Sequence, residues 1–264
     1  MHPIEHLRYV ARARGADPVS LVLETAAALG GLSHEPAGIV LAVRRIVQRH
    51  PTVGQLWWLC SHALGANDPF EAIRRCEEQI ETDSTVKTLR DALPQDATVC
   101  IVGWPTATLN AIARRADLKI FIVESNGDGD AAVERLQRMD IDATLVQHEF
   151  LSQVISQSDV VVIEALATGA SDVLCSGGSY SAAAIAYCQQ KLVWLVTACG
   201  TRLPESLWIG MLVDVRAEIE NPIDVVPVSL FAQVISPSGI SLDVTTPLAA
   251  ECPPTTELLR RSAM

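Results

Sequence analysis

Thr98-Val99-Cys100-Ile101-Val102 and Leu118-Lys119-Ile120-Phe121-Ile122-Val123 are short, apolar runs rich in β-branched residues. A run of this kind fits a strand covered on both faces. The pattern returns at Ala143-Thr144-Leu145-Val146, at Asp159-Val160-Val161-Val162-Ile163 and at Leu192-Val193-Trp194-Leu195-Val196. Helical stretches at 106–116, 129–140, 149–157 and 179–190 separate the runs. Strand–helix alternation of this type implies right-handed crossovers. The expected fold class is therefore α/β, with a doubly wound, parallel, Rossmann-like sheet.

On the N-terminal side the pattern is helical. Apolar residues recur at helical spacing over 18–32, 36–49 and 52–64, and from Pro69 through Ile73, Cys76, Ile80 and Val86 to Leu89. Gly30-Gly31 and Pro51 suit helix ends, and Asp68-Pro69 suits a helix start. Leu93-Pro94-Gln95-Asp96 marks a boundary. Residues 1–94 are expected to form a helical subdomain, and residues 95–264 the Rossmann-like domain with a C-terminal extension. Within that extension Met211-Leu212-Val213-Asp214-Val215 offers a further strand and Val228 to Ile235 a short helix. The tail from Pro253 is expected to be loose.

Composition narrows the partners. A formal net charge of −11 disfavours direct nucleic-acid binding, which needs Lys and Arg against phosphate. The seven cysteines are scattered, with no CxxC pairing, which argues against a disulfide framework or a zinc site. Met1 to His6 lacks the apolar core of a leader peptide, and no run approaches the ~20 apolar residues that span a bilayer. A cytoplasmic protein with no membrane contact, no metal and no cofactor is the expectation.

Ligands of open parallel sheets bind outside the carboxyl ends of the strands, so four loops there are candidates. In the first, Gly103 permits a tight exit, Thr106 can cap the next helix, and the N–H groups around Trp104 can hold a phosphate or simply form a turn. In the second, Glu124 stands where a ribose-binding acid stands in a dinucleotide fold, but GxGxxG is missing. The Asp/Gly pattern after it only partly matches a calcium loop, and no helix precedes it. In the third, Glu164 is either an acceptor for loop N–H groups or a site acid with a perturbed pKa. In the fourth, Gly177, Gly178, Ser179 and Tyr180 precede an Ala-rich helix, which suits an anion cradle. Cys175 is there either a nucleophile or an inert buried thiol. His50, before Pro51-Thr52, is by default a surface or satisfied histidine, at a position that can point into the cleft.

These motifs, in this order, resemble the alpha, beta and delta regulatory subunits of translation initiation factor 2B. They also resemble the related methylthioribose-1-phosphate and ribose-1,5-bisphosphate isomerases. The resemblance spans about residues 35–240. His50-Pro51-Thr52 through Trp58 is similar to the family's Arg-Pro-Thr helix start. Gly103-Trp104-Pro105-Thr106 is similar to its Gly-Tyr-Ser-Ser loop, Val123-Glu124-Ser125 to its Val-Glu-Ser, and Gly178-Ser179-Tyr180 to its Gly-Thr-Tyr.

The departures bear on activity. The isomerases use a Cys in the first loop and an Asp in the third, and neither is present. The family's Arg before Pro-Thr is His50, and its Asn-Lys is Cys175-Ser176. The resemblance thus implies a homodimeric or higher homo-oligomeric binding protein that holds a phosphorylated sugar or nucleotide and lacks the isomerase residues. The alternatives are a sugar-phosphate isomerase rewired around Glu164, His50 or Cys175, and an interaction module with a closed cleft.

Overall fold

The computed structural model describes residues 17–32, 36–217 and 222–260. The reading of Met1 to His6, and the end of the tail, lie outside them. The first described elements are helices: α1 (Pro18–Gly30), α2 (Pro36–Arg49), α3 (Gly54–Gly65) and α4 (Pro69–Glu81). The Asp68 carboxylate accepts from the Phe70 and Glu71 N–H groups at 3.0 and 3.1 Å, with Pro69 next in the chain. That is the start expected from Asp-Pro. The helix does not run on to Leu89, however. The chain turns at Asp83, whose carboxylate accepts from the Thr85 N–H at 2.8 Å and opens a separate helix, α5 (Thr85–Ala92).

The remaining elements are β1 (Thr98–Val102), α6 (Thr106–Ile112), β2 (Lys119–Val123), α7 (Gly129–Gln137), β3 (Asp142–Val146) and α8 (Leu151–Gln157). There follow β4 (Val160–Glu164), β5 (Ala167–Thr168), β6 (Asp172–Ser176), α9 (Ser179–Cys188), β7 (Leu192–Val196) and α10 (Glu205–Ala217). Last come β8 (Ile223–Pro227), β9 (Gln233–Ser236) and β10 (Gly239–Ser241). The main sheet has the order β10-β9-β7-β4-β1-β2-β3 and is parallel apart from β10. The chain moves outward from β1 to β3 and returns to β4 on the other side of β1. The switch point of the topology therefore lies between β1 and β4.

Alternation along each strand divides the core. Val99, Ile101, Ile120, Ile122, Val160 and Val162 pack under α5, α6 and α7. Cys100, Val102, Phe121, Val123, Val161 and Ile163 pack under α8 and α9. Burial on both faces is why these runs are continuously apolar. A third core joins the N-terminal helices to α10 through Trp57, Trp58, Leu207, Trp208 and Met211.

Three C-terminal expectations are corrected. Met211–Val215 belongs to α10 and not to a strand. Leu207, Met211 and Val215 face inward at a four-residue step, while Ile209 and Val213 are exposed. The β-branched run concealed that period. Val228–Ile235 is a single 3-10 turn followed by β9, which pairs in parallel with β7. The tail after Pro253 is packed: Leu258 is buried in the helical core, and Arg44 reaches both the Glu257 carbonyl and its carboxylate, at 2.7 and 2.9 Å. A second sheet, β5-β6-β8, is antiparallel and was not read from the sequence. Among the described residues no helix is long and apolar enough to cross a membrane.

The packed tail has a measurable consequence. Leu258→Ala should lower unfolding stability by about 2–4 kcal/mol, read as a shift in denaturant midpoint. A change within about 0.5 kcal/mol, as at an ordinary surface position, would show the tail to be loose after all.

Candidate functional site

The switch point is filled by a side chain of the protein itself. Glu164 ends β4, and its carboxylate crosses to the first turn of α6, the helix that follows β1. Oε1 accepts from the Ala107 N–H at 3.1 Å, and Oε2 accepts from the Thr108 N–H and hydroxyl, both at 2.8 Å. The helix has no side-chain cap of its own, so Thr106 does not play that part. The Ala107 and Thr108 N–H groups of this loop, candidates to hold a phosphate, carry Glu164, which is thus an acceptor for loop N–H groups. Burial raises its pKa from the ordinary value of 4.5. The donors on Thr108 and Ala107 pull it back, and the charge of Asp17, a residue the sequence reading missed, adds a smaller upward push.

The fourth loop repeats the arrangement. It does not leave the main sheet, as expected, but the small one, at the end of β6. Gly178 has φ +94°, the left-handed conformation that glycine tolerates, and α9 starts after it. The N–H groups of Gly178 and Tyr180 both point at Oδ2 of Asp224, each at 2.8 Å. Asp224 sits on β8 opposite Cys175 in the antiparallel register. The sequence reading missed Asp224 because the register of β6 with β8 puts it there. Ser179 is buried, Tyr180 is exposed, and a Cβ on Gly178 would lie 2.6 Å from Cε1 of His148, whose ring closes over the turn.

The first, second and fourth loops converge. Gly103 leaves β1 with φ +63°, and a Cβ there would lie 3.1 Å from the Ser125 Cβ and 3.8 Å from the Ser176 Cβ. Ser125 donates its hydroxyl to the Gly177 carbonyl at 2.8 Å, and the Gly177 N–H donates to the Pro222 carbonyl at 3.0 Å. Glu124 Oε1 accepts from the Gly127 N–H at 2.8 Å and closes its own turn. Trp104 is half-buried, with the Arg135 guanidinium 5.5 Å from its ring centre. The His50-to-Gly54 segment meets the third loop, where the Gly54 N–H donates to the Leu166 carbonyl at 3.0 Å. Cys175 is fully buried, and burial, then the charges of Asp224 and Glu164, push its thiol well above the ordinary range. A thiol held protonated is a poor nucleophile. Among the described residues no cluster of His, Cys, Asp or Glu is arranged to hold a metal.

With this geometry in view, the fold can be compared with known proteins. No family model and no curated protein matches the chain. Solved structures do. The translation initiation factor eIF-2B of Pyrococcus horikoshii OT3 superposes with a TM-score of 0.76 at 14% identity, over 91% of this chain and 97% of that one. The chain has the eIF2B fold. The Chaetomium thermophilum eIF2B beta structure matches with a TM-score of 0.67 at 13% identity, over 90% and 87% of the two chains. The A. fulgidus delta subunit matches with a TM-score of 0.57 at 14% identity, over 98% and 91%. The α/β class and the N-terminal helical region expected from the hydrophobic pattern are both present.

The raised pKa of Glu164 sets a pH signature. The native state holds this proton more tightly than the unfolded chain does. Stability therefore falls as pH rises from about 4.5, the ordinary Glu value, through the raised native value. Glu164→Gln lacks that titration and keeps only one acceptor for the three donors. The variant should be less stable by about 1–3 kcal/mol, with the gap widest at acid pH and narrowing as pH rises. Thermal melts of the two proteins across pH 4 to 8, if parallel, would contradict this.

Proposed function

We propose that this chain is a non-catalytic subunit of the eIF2B regulatory type, acting in the cytoplasm by binding and assembly rather than by turnover. One observation carries the reading: the acids that face the cleft loops, Glu164 at the end of β4 and Asp224 near the start of β8, are both spent as acceptors at helix starts. A proton-transfer isomerase needs an acid and a base free to reach substrate. Cys175 is buried away from any substrate, and His50 lies between α2 and α3.

A phosphorylated sugar or nucleotide is the ligand class assigned to the cleft. The N–H pair of Gly178 and Tyr180 is the group that would hold its phosphate, and Asp224 now fills that place. Such a ligand enters by exchange with the carboxylate, so its affinity is reduced by the strength of those two charge-assisted bonds. Homo-oligomerisation belongs to the same reading. The outer face of α9 carries Tyr180 and Tyr187, two turns apart, the latter 62% exposed, and the C. thermophilum eIF2B-beta2-delta2 complex is a tetramer. The rival reading, a rewired sugar-phosphate isomerase, draws on the raised Glu164 pKa and on nothing else in the cleft.

Thermal-shift titration with ribose 5-phosphate, ribose 1,5-bisphosphate and AMP tests the assignment. Asp224→Ala should melt lower than the parent protein without ligand, yet bind these phosphates about tenfold more tightly. No stabilisation of either protein by any of them would remove the ligand from the account. Turnover of ribose 1,5-bisphosphate by the parent protein, lost in Glu164→Gln, would replace binding with catalysis.

A further inference from the structure

A groove of about 550 Å³ lies away from the strand ends, on the helical layer formed by α5, α6 and α7. Its lining includes Lys87, Asn110, Arg114 and Arg135, together with Val86, Ala113 and Met139, and Asp83 is the one acid. Small-molecule sites are commonly of this size, roughly 300–1,000 Å³. From Ala107, capped by Glu164, to Ala113 at the groove is roughly 9 Å along the helix, so the groove and the cleft are separate places.

The charge of the groove runs against that of the chain. The whole protein carries −11, yet three cations gather here around one carboxylate. That carboxylate is committed: Asp83 accepts from the Thr85 N–H and hydroxyl and, through Oδ2, from the Cys199 N–H at 2.8 Å. Among the described residues, Lys87, Arg114 and Arg135 have no ion-pair partner, whereas neighbouring Arg115 and Arg138 do, in Asp117 and Glu134. Arg135 is also pre-set. One of its nitrogens donates to Asn110 Oδ1 at 2.5 Å and its plane lies over Trp104, which leaves its other N–H donors for a ligand. Fixing the guanidinium in advance lowers the entropy cost of binding.

We propose that this groove binds a small molecule carrying a phosphate chain, of the nucleoside di- or triphosphate class. Two guanidinium groups and an ammonium supply charge-assisted bonds to phosphate oxygens. Val86, Ala113 and the exposed Met139 offer the apolar surface against which a base packs. Neither Glu164, Asp224 nor any residue of the Gly177–Tyr180 turn lines it.

Isothermal titration calorimetry of the full chain at low salt, with inorganic tripolyphosphate, ATP and AMP, tests this. Tripolyphosphate and ATP should bind, with AMP weaker by about tenfold or more. Lys87→Glu and Arg114→Glu should each weaken ATP by about tenfold, and Arg75→Gln, at an exposed arginine outside the groove, should leave it unchanged. Both reversed residues are exposed and unpaired, so the variants should keep the parent melting temperature. Should either reversal unfold the protein, Lys87→Ala and Arg114→Ala give the same reading with less loss. Absence of heat with millimolar tripolyphosphate and ATP would overturn the site, as would undiminished ATP binding in the double variant. ATP binding weakened as much by Arg75→Gln as by the groove variants would reduce the effect to general surface charge and overturn the site. Tripolyphosphate binding without ATP would overturn the nucleoside assignment.

Discussion

The carboxylate of Glu164, seated on the first turn of α6, is the contact around which the functional edge is organised. Open parallel sheets leave a crevice where the strand order reverses, and oriented N–H groups make it attractive to anions. Here that crevice lies between β1 and β4, and the residue that ends β4 fills it. Three donors on Ala107 and Thr108 converge on the two oxygens. Burial alone would push the proton back onto such a group; the donors offset part of that cost. Asp224 does the same at α9, from a different sheet. The edge that binds ligands in many folds of this kind is thereby satisfied from within.

The helical half and the C-terminal segment make this possible. Gly54 is pressed so closely on the third loop that a Cβ would fall 2.7 Å from both the Ala167 Cβ and the Leu166 carbonyl oxygen. The same loop carries β5, which pairs with β6. The C-terminal extension then clasps the assembly: Glu251 accepts from the Gly200 N–H at 3.0 Å and pairs with Arg202, while Leu258 enters the helical core. The described residues therefore share cores across the boundary at Pro94. α5 lies on the sheet, and α10 lies among the N-terminal helices.

The strands of the main sheet were legible because burial on both faces leaves nothing but apolar residues in them. The Asp68-Pro69 start was legible because capping is local. What escaped was set by long-range pairing. β6 and β8 are about fifty residues apart in sequence and are not joined by a hairpin turn, so neither the small sheet nor the placing of Asp224 opposite Cys175 could be read from spacing. Met211–Val215 reads as a strand because Val213 and Val215 are β-branched, although packing of Leu207, Met211 and Val215 into the helical core overrides that preference. In the site, Gly103, Gly177 and Gly178 were found by their backbone freedom. The occupants of their N–H groups were not, since a carboxylate that caps a distant helix leaves no mark in its neighbours.

The protein thus closes its anion-attracting edge with its own acids and leaves unpaired cations on another face. Amide hydrogen exchange of the ligand-free protein, resolved at Ala107, Thr108, Gly178 and Tyr180, tests the first half of that statement most directly. The account predicts all four amides to be protected without any added anion, and Gly178 and Tyr180 to lose protection in Asp224→Ala. Fast exchange at these four positions in the parent protein, slowed only when a phosphorylated ligand is added, would contradict it.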